Sequence, residues 1–342
     1  MDFARTLIQW YLQHKRDLPW RDTKDPYRIW LSEIILQQTR VAQGLPYYER
    51  FMSLFPDVVS LADADEQHVM LAWQGLGYYS RARNLHAAAK RVAYELGGSF
   101  PDNYESLLNL PGVGEYTAAA IASFAFGEQK AVVDGNVLRV LARVFDLEAD
   151  IAKPAAKKEF TALATTLIAG SDPALFNQAI MEFGAMQCVP RNPDCPSCPF
   201  RDKCEAYRLG KVGRLPFKSP KAKPADRFLH YFVLEDSGGL TSVNKRVGPG
   251  IWRHLYEFPV FEASAPASEQ QMFEEASARY GEVELRELSH FDTVHKLSHQ
   301  NLHIRFARVR LSGMLQDGVA PSNLASLPFP AVIHNFIERH WN

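Results

Sequence analysis

Over residues 1–210 apolar residues recur three and four positions apart, with alanine frequent, and this spacing predicts a mostly helical chain. Asp25-Pro26 reads as a helix start, an acidic N-cap followed by proline at the first helical position. The periodic pattern then runs from Tyr27 to Gln43 as one helix. Another follows Gly75-Leu76-Gly77-Tyr78-Tyr79-Ser80, spans 81–96 and stops at Gly97-Gly98. Residues 215–225 hold three prolines and three lysines and predict an extended linker. Beyond it the period changes. Residues 227–236 and 240–247 flank Ser237-Gly238-Gly239 and predict a hairpin. A helix near 268–280, strands near 283–292 and 301–311, and a last helix near 329–340 complete an α+β pattern. The expected architecture is therefore an all-α domain followed by a smaller α+β domain.

A length of 342 residues suits two domains. With 38 Lys and Arg against 39 Asp and Glu, the formal net charge is −1, which excludes a uniformly basic nucleic-acid binder. The charge is uneven, however. From Arg208 to Lys223 there are six basic residues and no acidic one, which fits either a solvated linker or a phosphate-facing strip. No run of 18 apolar residues predicts a membrane span, and the first twenty residues lack the layout of a signal peptide. A reducing cytoplasm is the expected setting.

All four cysteines, Cys188, Cys195, Cys198 and Cys204, fall within seventeen residues, spaced C-x6-C-x2-C-x5-C. Such clustering argues for a metal site and against disulfides. Four thiolates suit zinc or an iron–sulfur cluster, and the spacing leaves both open.

Three further features carry candidate chemistry. Leu110-Pro111-Gly112-Val113-Gly114 lies between two helical patterns, where glycines allow a tight hairpin whose N–H groups face outward. By itself it also fits a plain interhelical turn. Asp134 follows Val132-Val133 and precedes the helical run from Asn136, where it would cap a helix and stay ionised. Glu33 lies among Trp30, Leu31, Ile34, Ile35 and Leu36. Buried there, it would have a raised pKa suited to proton donation, but periodicity favours a polar face shared with Gln37.

Taken together, and in this order along the chain, these features resemble the helix-hairpin-helix DNA glycosylases with an iron–sulfur loop. Within them the chain is most similar to the adenine-excising branch. The resemblance rests on Leu31 to Thr39, Gly75 to Tyr79, Leu110 to Gly114, Val133 to Asn136, and Phe183 to Met186 leading into Cys188. It is strong over 1–215 and looser beyond, through Gly250-Ile251-Trp252, Tyr256 to Pro259 and Leu297-Ser298-His299.

The resemblance implies a helical glycosylase domain at 1–214, with a helix-hairpin-helix near 104–125 and a cluster loop at 188–204. A linker at 215–226 and a Nudix-like, 8-oxoguanine-reading domain at 227–342 would follow. It implies removal of adenine mispaired with 8-oxoguanine or guanine. Glu33 would be the general acid and Asp134 the stabiliser of the cationic sugar, with Tyr116 near that sugar and Asn136 in support. Gln38 and Tyr78 would wedge into the duplex. Leu110, Gly112 and Gly114 would contact DNA, and Trp20, Arg21 and Gln178 would surround the extruded adenine. Ser298 and His299 would read the oxidised base, although Leu297 replaces an aromatic residue usual there. Cys188, Cys195, Cys198 and Cys204 would ligate one [4Fe–4S] cluster. The implied setting is a monomer acting on mispaired duplex DNA in a bacterial, nucleoid-associated cytoplasm, with no membrane partner.

Two points bear on the reaction type. Relatives that also cleave the strand carry a lysine two residues past the hairpin, where this chain has Tyr116, and a phenol cannot form an imine. A Nudix hydrolase would show a glycine and a Glu-rich helix ending R-E-x-x-E-E, which residues 268–281 do not supply. Recognition, not hydrolysis, is thus expected of the second domain. The competing readings are a pyrimidine glycosylase with lyase activity and a non-enzymatic protein, either an iron–sulfur electron carrier or a non-catalytic iron–sulfur DNA-binding protein.

Overall fold

The computed structural model describes residues 2–220, 223–288 and 294–341. Internal contacts divide the chain into two compact units: Met1–Asp63 with Asn84–Pro220, and Ala64–Arg83 with Lys221–Asn342. The placement of 64–83 differs from the expectation that they belong with the N-terminal helices. Specific bonds tie this segment to the C-terminal part. The Tyr79 hydroxyl donates to the Phe329 carbonyl at 3.2 Å, the Phe329 N–H donates to the Gln74 amide oxygen at 3.1 Å, and Arg83 donates to the Arg253 carbonyl at 2.7 Å.

The first unit is helical. Asp25 caps helix Pro26–Leu36 by accepting from the Tyr27 N–H, with Pro26 at the first position. The single helix expected to reach Gln43 is in fact two, because the chain breaks at Gln38, which has φ +57°, and restarts as helix Val41–Leu54. Helix Ser80–Lys90 continues as a π-helical turn, Arg91–Glu95, and ends at Gly97 with φ +63°. The hairpin joins helices Tyr104–Leu107 and Glu115–Phe126. Of its two glycines only Gly112 is conformationally required. Its φ is +72°, and a Cβ there would lie 2.6 Å from the Asn84 Cβ.

Helices Phe3–His14, Gly135–Val144, Pro154–Ile168 and Pro173–Met186 share one core with the cysteine loop. Phe183 sits at its centre, edge-on to Trp10 at 4.9 Å and to Phe200 at 5.2 Å. The start of the expected linker is held to this unit. The Ile151 N–H donates to the Phe217 carbonyl, and the Ser219 N–H donates to the Asp150 carboxylate.

The second unit is built on a sheet of β1 (Ala225–Glu235), β4 (Val260–Ala263), β5 (Val283–Leu288), β6 (Val294–Lys296) and β7 (Gln300–Leu311), while β2 (Asn244–Lys245) pairs with β3 (Tyr256–Glu257). The order is β4-β1-β7-β5, with β6 also on β7. β1 and β7 run parallel, and β4 pairs antiparallel with β1. The expected 227–247 hairpin is therefore absent. The Ser237-Gly238-Gly239 turn forms, but its bonds close on Asp236, which accepts N–H groups from Gly238, Leu240 and Leu315. The chain then departs, Thr241 bridging Val319. β1 also starts two residues inside the expected linker. Helix Glu269–Tyr280, with a Ser268 capping box, covers one face through Met272 and Ala276 against Phe232, Leu234, Ala307 and Val309. Phe336 of helix Ala331–Trp341 stacks on Phe306 at 3.9 Å on the opposite strand phase. The strand expected near 283–292 is described only to Leu288, and its end lies outside the described residues.

Truncating Phe183 to alanine should lower the unfolding free energy of the first unit by ~3–5 kcal/mol. Chemical denaturation followed by circular dichroism measures this, and a loss below ~1 kcal/mol would mean the core closes over the gap.

Candidate active site

Helix Pro26–Leu36 packs against helices Val41–Leu54 and Glu115–Phe126 and is buried on nearly every side. It has no free polar face for Glu33, so the face shared with Gln37 that periodicity favoured does not exist. Glu33 is only 8 % exposed. Burial pushes its carboxyl up to about 7, with the negative charge of Asp134 adding to the rise and a Tyr116 hydrogen bond and Arg21 opposing it.

Asp134 caps helix Gly135–Val144. One oxygen accepts the N–H groups of Asn136 and Val137, each at 2.8 Å, and the other accepts the Asn136 side-chain amide at 2.8 Å. Burial raises its pKa, and these three bonds hold the rise back. Tyr116 stands in the first turn of helix Glu115–Phe126, directly after the hairpin. Its hydroxyl reaches the Met181 sulfur at 3.4 Å as well as Glu33, and burial drives its pKa well above the usual phenol value.

Glu33, Tyr116, Asp134 and Asn136 line one cleft of about 610 Å³ together with Trp20, Arg21 and Gln178. Seven residues singled out in the sequence thus meet. Trp20 is buried edge-on to Tyr48, and Gln178 accepts from the Tyr11 hydroxyl at 2.7 Å. A group not anticipated lies among them. Glu182 accepts five hydrogen bonds from Arg16 and Arg21, two at 2.6 Å. Burial alone would raise its carboxyl, but the Arg16 and Arg21 bonds outweigh it and hold the pKa at about 2. Its signal was available: one carboxylate between Met181 and Phe183, as apolar a setting as that of Glu33.

The other candidates are not among the residues that line the cleft. Gln38 occupies the turn after Leu36, in the left-handed region. Tyr78 shares that conformation at φ +48° and is 47 % exposed. Leu110 is buried, and its backbone is engaged within the turn: its N–H donates to the Leu107 carbonyl and its carbonyl accepts from the Val113 N–H, each at 3.1 Å. Gly114 caps helix Glu115–Phe126 with an ordinary φ. Ser298 and His299 are exposed, their side chains 3.3 Å apart, just before β7.

The cysteine loop is bonded to the helix that begins at Asp134. Arg139 donates to the Cys188 carbonyl at 2.7 Å, the Gly184 carbonyl at 2.6 Å and the Asn136 side-chain oxygen at 2.9 Å. Arg143 donates to the Cys188 sulfur at 3.4 Å and to the carbonyls of Val189, Pro190 and Leu215. Gly184 permits this approach, since a Cβ there would lie 2.6 Å from the Asn136 Cβ. Two arginines four apart without an acidic partner on their helix were the overlooked signal.

The four cysteines line one pocket with Val144, Phe183, Phe200 and Val212. The donor set, four soft sulfurs with Arg143 and the Phe200 N–H beside them, fits an anionic iron–sulfur group. Among the described residues, no three His, Cys, Asp or Glu side chains are gathered tightly enough for a single metal ion. The basic strip is partly neutralised: Arg208 pairs with Glu205, and Lys211 with Asp146 and Glu148. It therefore presents less charge to a phosphate backbone than its composition suggests. Among the described residues no helix is long and apolar enough to cross a membrane.

Comparison with known proteins agrees with this geometry. Residues 31–165 match the HhH-GPD superfamily of base excision DNA repair proteins, and residues 230–339 match the NUDIX domain. A thermostable thymine-DNA glycosylase structure is 32 % identical, with a TM-score of 0.56, over 60 % of this chain and 95 % of that one. An endonuclease III–DNA covalent intermediate, at 21 % identity and TM-score 0.53, shares the fold. The chain is thus a helix-hairpin-helix glycosylase domain followed by a Nudix-like α+β domain. Adenine DNA glycosylases of Mus musculus and Homo sapiens are each 35 % identical, covering 88 % and 93 % of this chain and 69 % of their own length. That of Buchnera aphidicola from Schizaphis graminum is 31 % identical over 91 % of this chain and 88 % of its own length. This chain belongs to the adenine DNA glycosylase family, base-excision-repair hydrolases that act on N-glycosyl bonds.

Proposed function

We propose that the chain excises adenine mispaired with 8-oxoguanine or guanine, with Glu33 as general acid and Asp134 as the carboxylate facing the developing sugar cation. The observation that carries this is the pairing of a buried carboxyl raised to about 7 with a second, hydrogen-bonded carboxyl in one cleft. Neutral adenine is a poor leaving group. Protonation at N7 by Glu33 as the glycosidic bond breaks lets it leave neutral, and Asp134 lowers the barrier electrostatically until water adds to the sugar. Two carboxyl groups kept apart in protonation state are the recurrent solution for glycoside hydrolysis. Extrusion of the base exposes its reacting atoms, and Gln38 and Tyr78 wedge the duplex in this scheme. Trp20, Arg21 and Gln178 enclose the adenine.

The chain acts as a monofunctional glycosylase in this reading. No lysine lines the catalytic cleft among the described residues, and Tyr116 stands where an imine-forming lysine would. Cys188, Cys195, Cys198 and Cys204 hold one [4Fe–4S] cluster, whose contribution here is structural. The second domain reads the base opposite adenine through Ser298 and His299.

Glu33→Gln should slow single-turnover adenine release ~10²–10⁴-fold while leaving duplex binding intact. The native rate should fall as pH rises through about 7, because only protonated Glu33 donates. That falling limb should vanish in the variant, and a native rate still climbing at pH 8 would contradict the assignment. Protein prepared without oxygen should contain ~4 irons per chain and be brown. Stoichiometric zinc without sulfide would reverse the cofactor assignment. Replacing Ser298 and His299 together with alanine should cut the rate preference for 8-oxoguanine over guanine about tenfold. An unchanged ratio would move the reader elsewhere.

A further inference from the structure

A second cleft, of about 1100 Å³, opens in the first unit beside the catalytic one. Tyr116 lines both. The second is bordered by Lys130, Lys153, Lys157 and Lys158, with Glu115 as the one carboxylate among its lining residues. Glu115 forms an ion pair with Lys157, and Lys130 lies over the Tyr104 ring at 4.4 Å, with Glu128 3.8 Å away and Glu105 4.0 Å away. Lys153 and Lys158 make no ion pair among the described residues. The wall between them is the start of helix Pro154–Ile168, whose N-cap, Lys153, supplies no side-chain bond to the first turn. Across the cleft, helix Glu115–Phe126 starts at Gly114, which has no side chain to cap it. The free N–H groups of both first turns add partial positive charge to that of the lysines.

We infer that this lysine-bordered cleft seats the phosphodiester backbone of the DNA strand carrying the extruded nucleotide, on one side of that nucleotide. The inference rests on the proposed glycosylase reading. Three observations select this occupant. The net charge of the lining is strongly positive although the whole chain carries −1. The cleft is concave, large and mostly open, which suits a backbone and not a small molecule. It shares Tyr116 with the catalytic cleft, so a strand whose sugar meets Glu33 and Asp134 has this cleft as its immediate neighbour. Lys153 and Lys157 are four residues apart, ~6 Å along the helix axis, a separation matched to neighbouring phosphates on one strand. The strip from Arg208 to Lys223, in which Arg208 and Lys211 are paired, was the expected phosphate-facing segment. This cleft offers two further cations, Lys153 and Lys158, that make no ion pair among the described residues.

The test is the salt dependence of duplex binding by the full chain with its cofactor in place. The triple variant Lys153→Ala, Lys157→Ala, Lys158→Ala should make log K fall less steeply with log salt, by ~0.9 for each phosphate no longer neutralised. Glu115→Gln, which removes no cation, should steepen it. Methylphosphonates placed singly along the adenine strand locate the seat. Neutral linkages within a few nucleotides on one side of adenine should weaken native binding but leave the triple variant's binding unchanged. An unaltered slope in both variants, or interference confined to the opposite strand, overturns the inference. Neither outcome bears on the glycosylase reading, which fails separately if the native protein releases no adenine from any mispair.

Discussion

Withdrawal of the Glu33 carboxyl from water is the constraint around which the first unit is arranged. A lone ionised carboxylate at that depth costs several kcal/mol, so it takes up a proton near neutrality. Helix Pro26–Leu36 enforces the burial because both of its neighbours press apolar residues onto it. The same arrangement sets Tyr116 and Asp134 around the carboxyl. One oxygen acid is left protonated and the other is supplied with three N–H donors. Environment, not residue type, separates their roles.

The second carboxylate is fixed from behind. Asp134 takes its orientation from Asn136, Asn136 from Arg139, and Arg139 from carbonyls at Gly184 and Cys188. Arg143 extends the chain of bonds to the Cys188 sulfur and to Leu215. All of these donors and acceptors are buried or half-buried, so each missing partner would strand a polar group. A loop some fifty residues away in sequence thereby bears on the carboxylate. In the proposed scheme the cysteine loop, outside the cleft, serves the chemistry by holding that carboxylate in place. Gly184 matters here for its missing side chain: the two helices approach so closely that a methyl group would strike Asn136.

Much of this was legible from residues alone. The Asp25-Pro26 start, the hairpin before Glu115, the cap at Asp134 and the last two helices lie where local rules put them. Those rules depend on neighbours in sequence. What they missed depends on neighbours in space. Gln38 breaks a periodic pattern with a left-handed residue that no propensity marks. Glu33 looked amphipathic because its helix is buried all round, which periodicity cannot distinguish from a polar face. The 227–247 hairpin failed because β1 finds a parallel partner in β7, sixty-five residues on at its closest end. Residues 64–83 are helical in part, over Glu66–Ala72 and from Ser80, within a stretch read as mostly helical, but their attachment to Phe329 and Arg253 leaves no local trace. Charge counting found the basic strip and overlooked that two of its cations, Arg208 and Lys211, have partners nearby.

The central claim is physical: Glu33 keeps its proton up to about pH 7 because it is buried beside Asp134. Difference infrared spectroscopy of the native protein against Glu33→Gln, recorded across pH, reads the protonated carbonyl stretch of that one side chain directly. The account predicts that the band titrates away at about pH 7, and at lower pH once Asp134 is replaced by asparagine. A Glu33 band already gone by ~pH 5, near the ordinary carboxylate range, would contradict it.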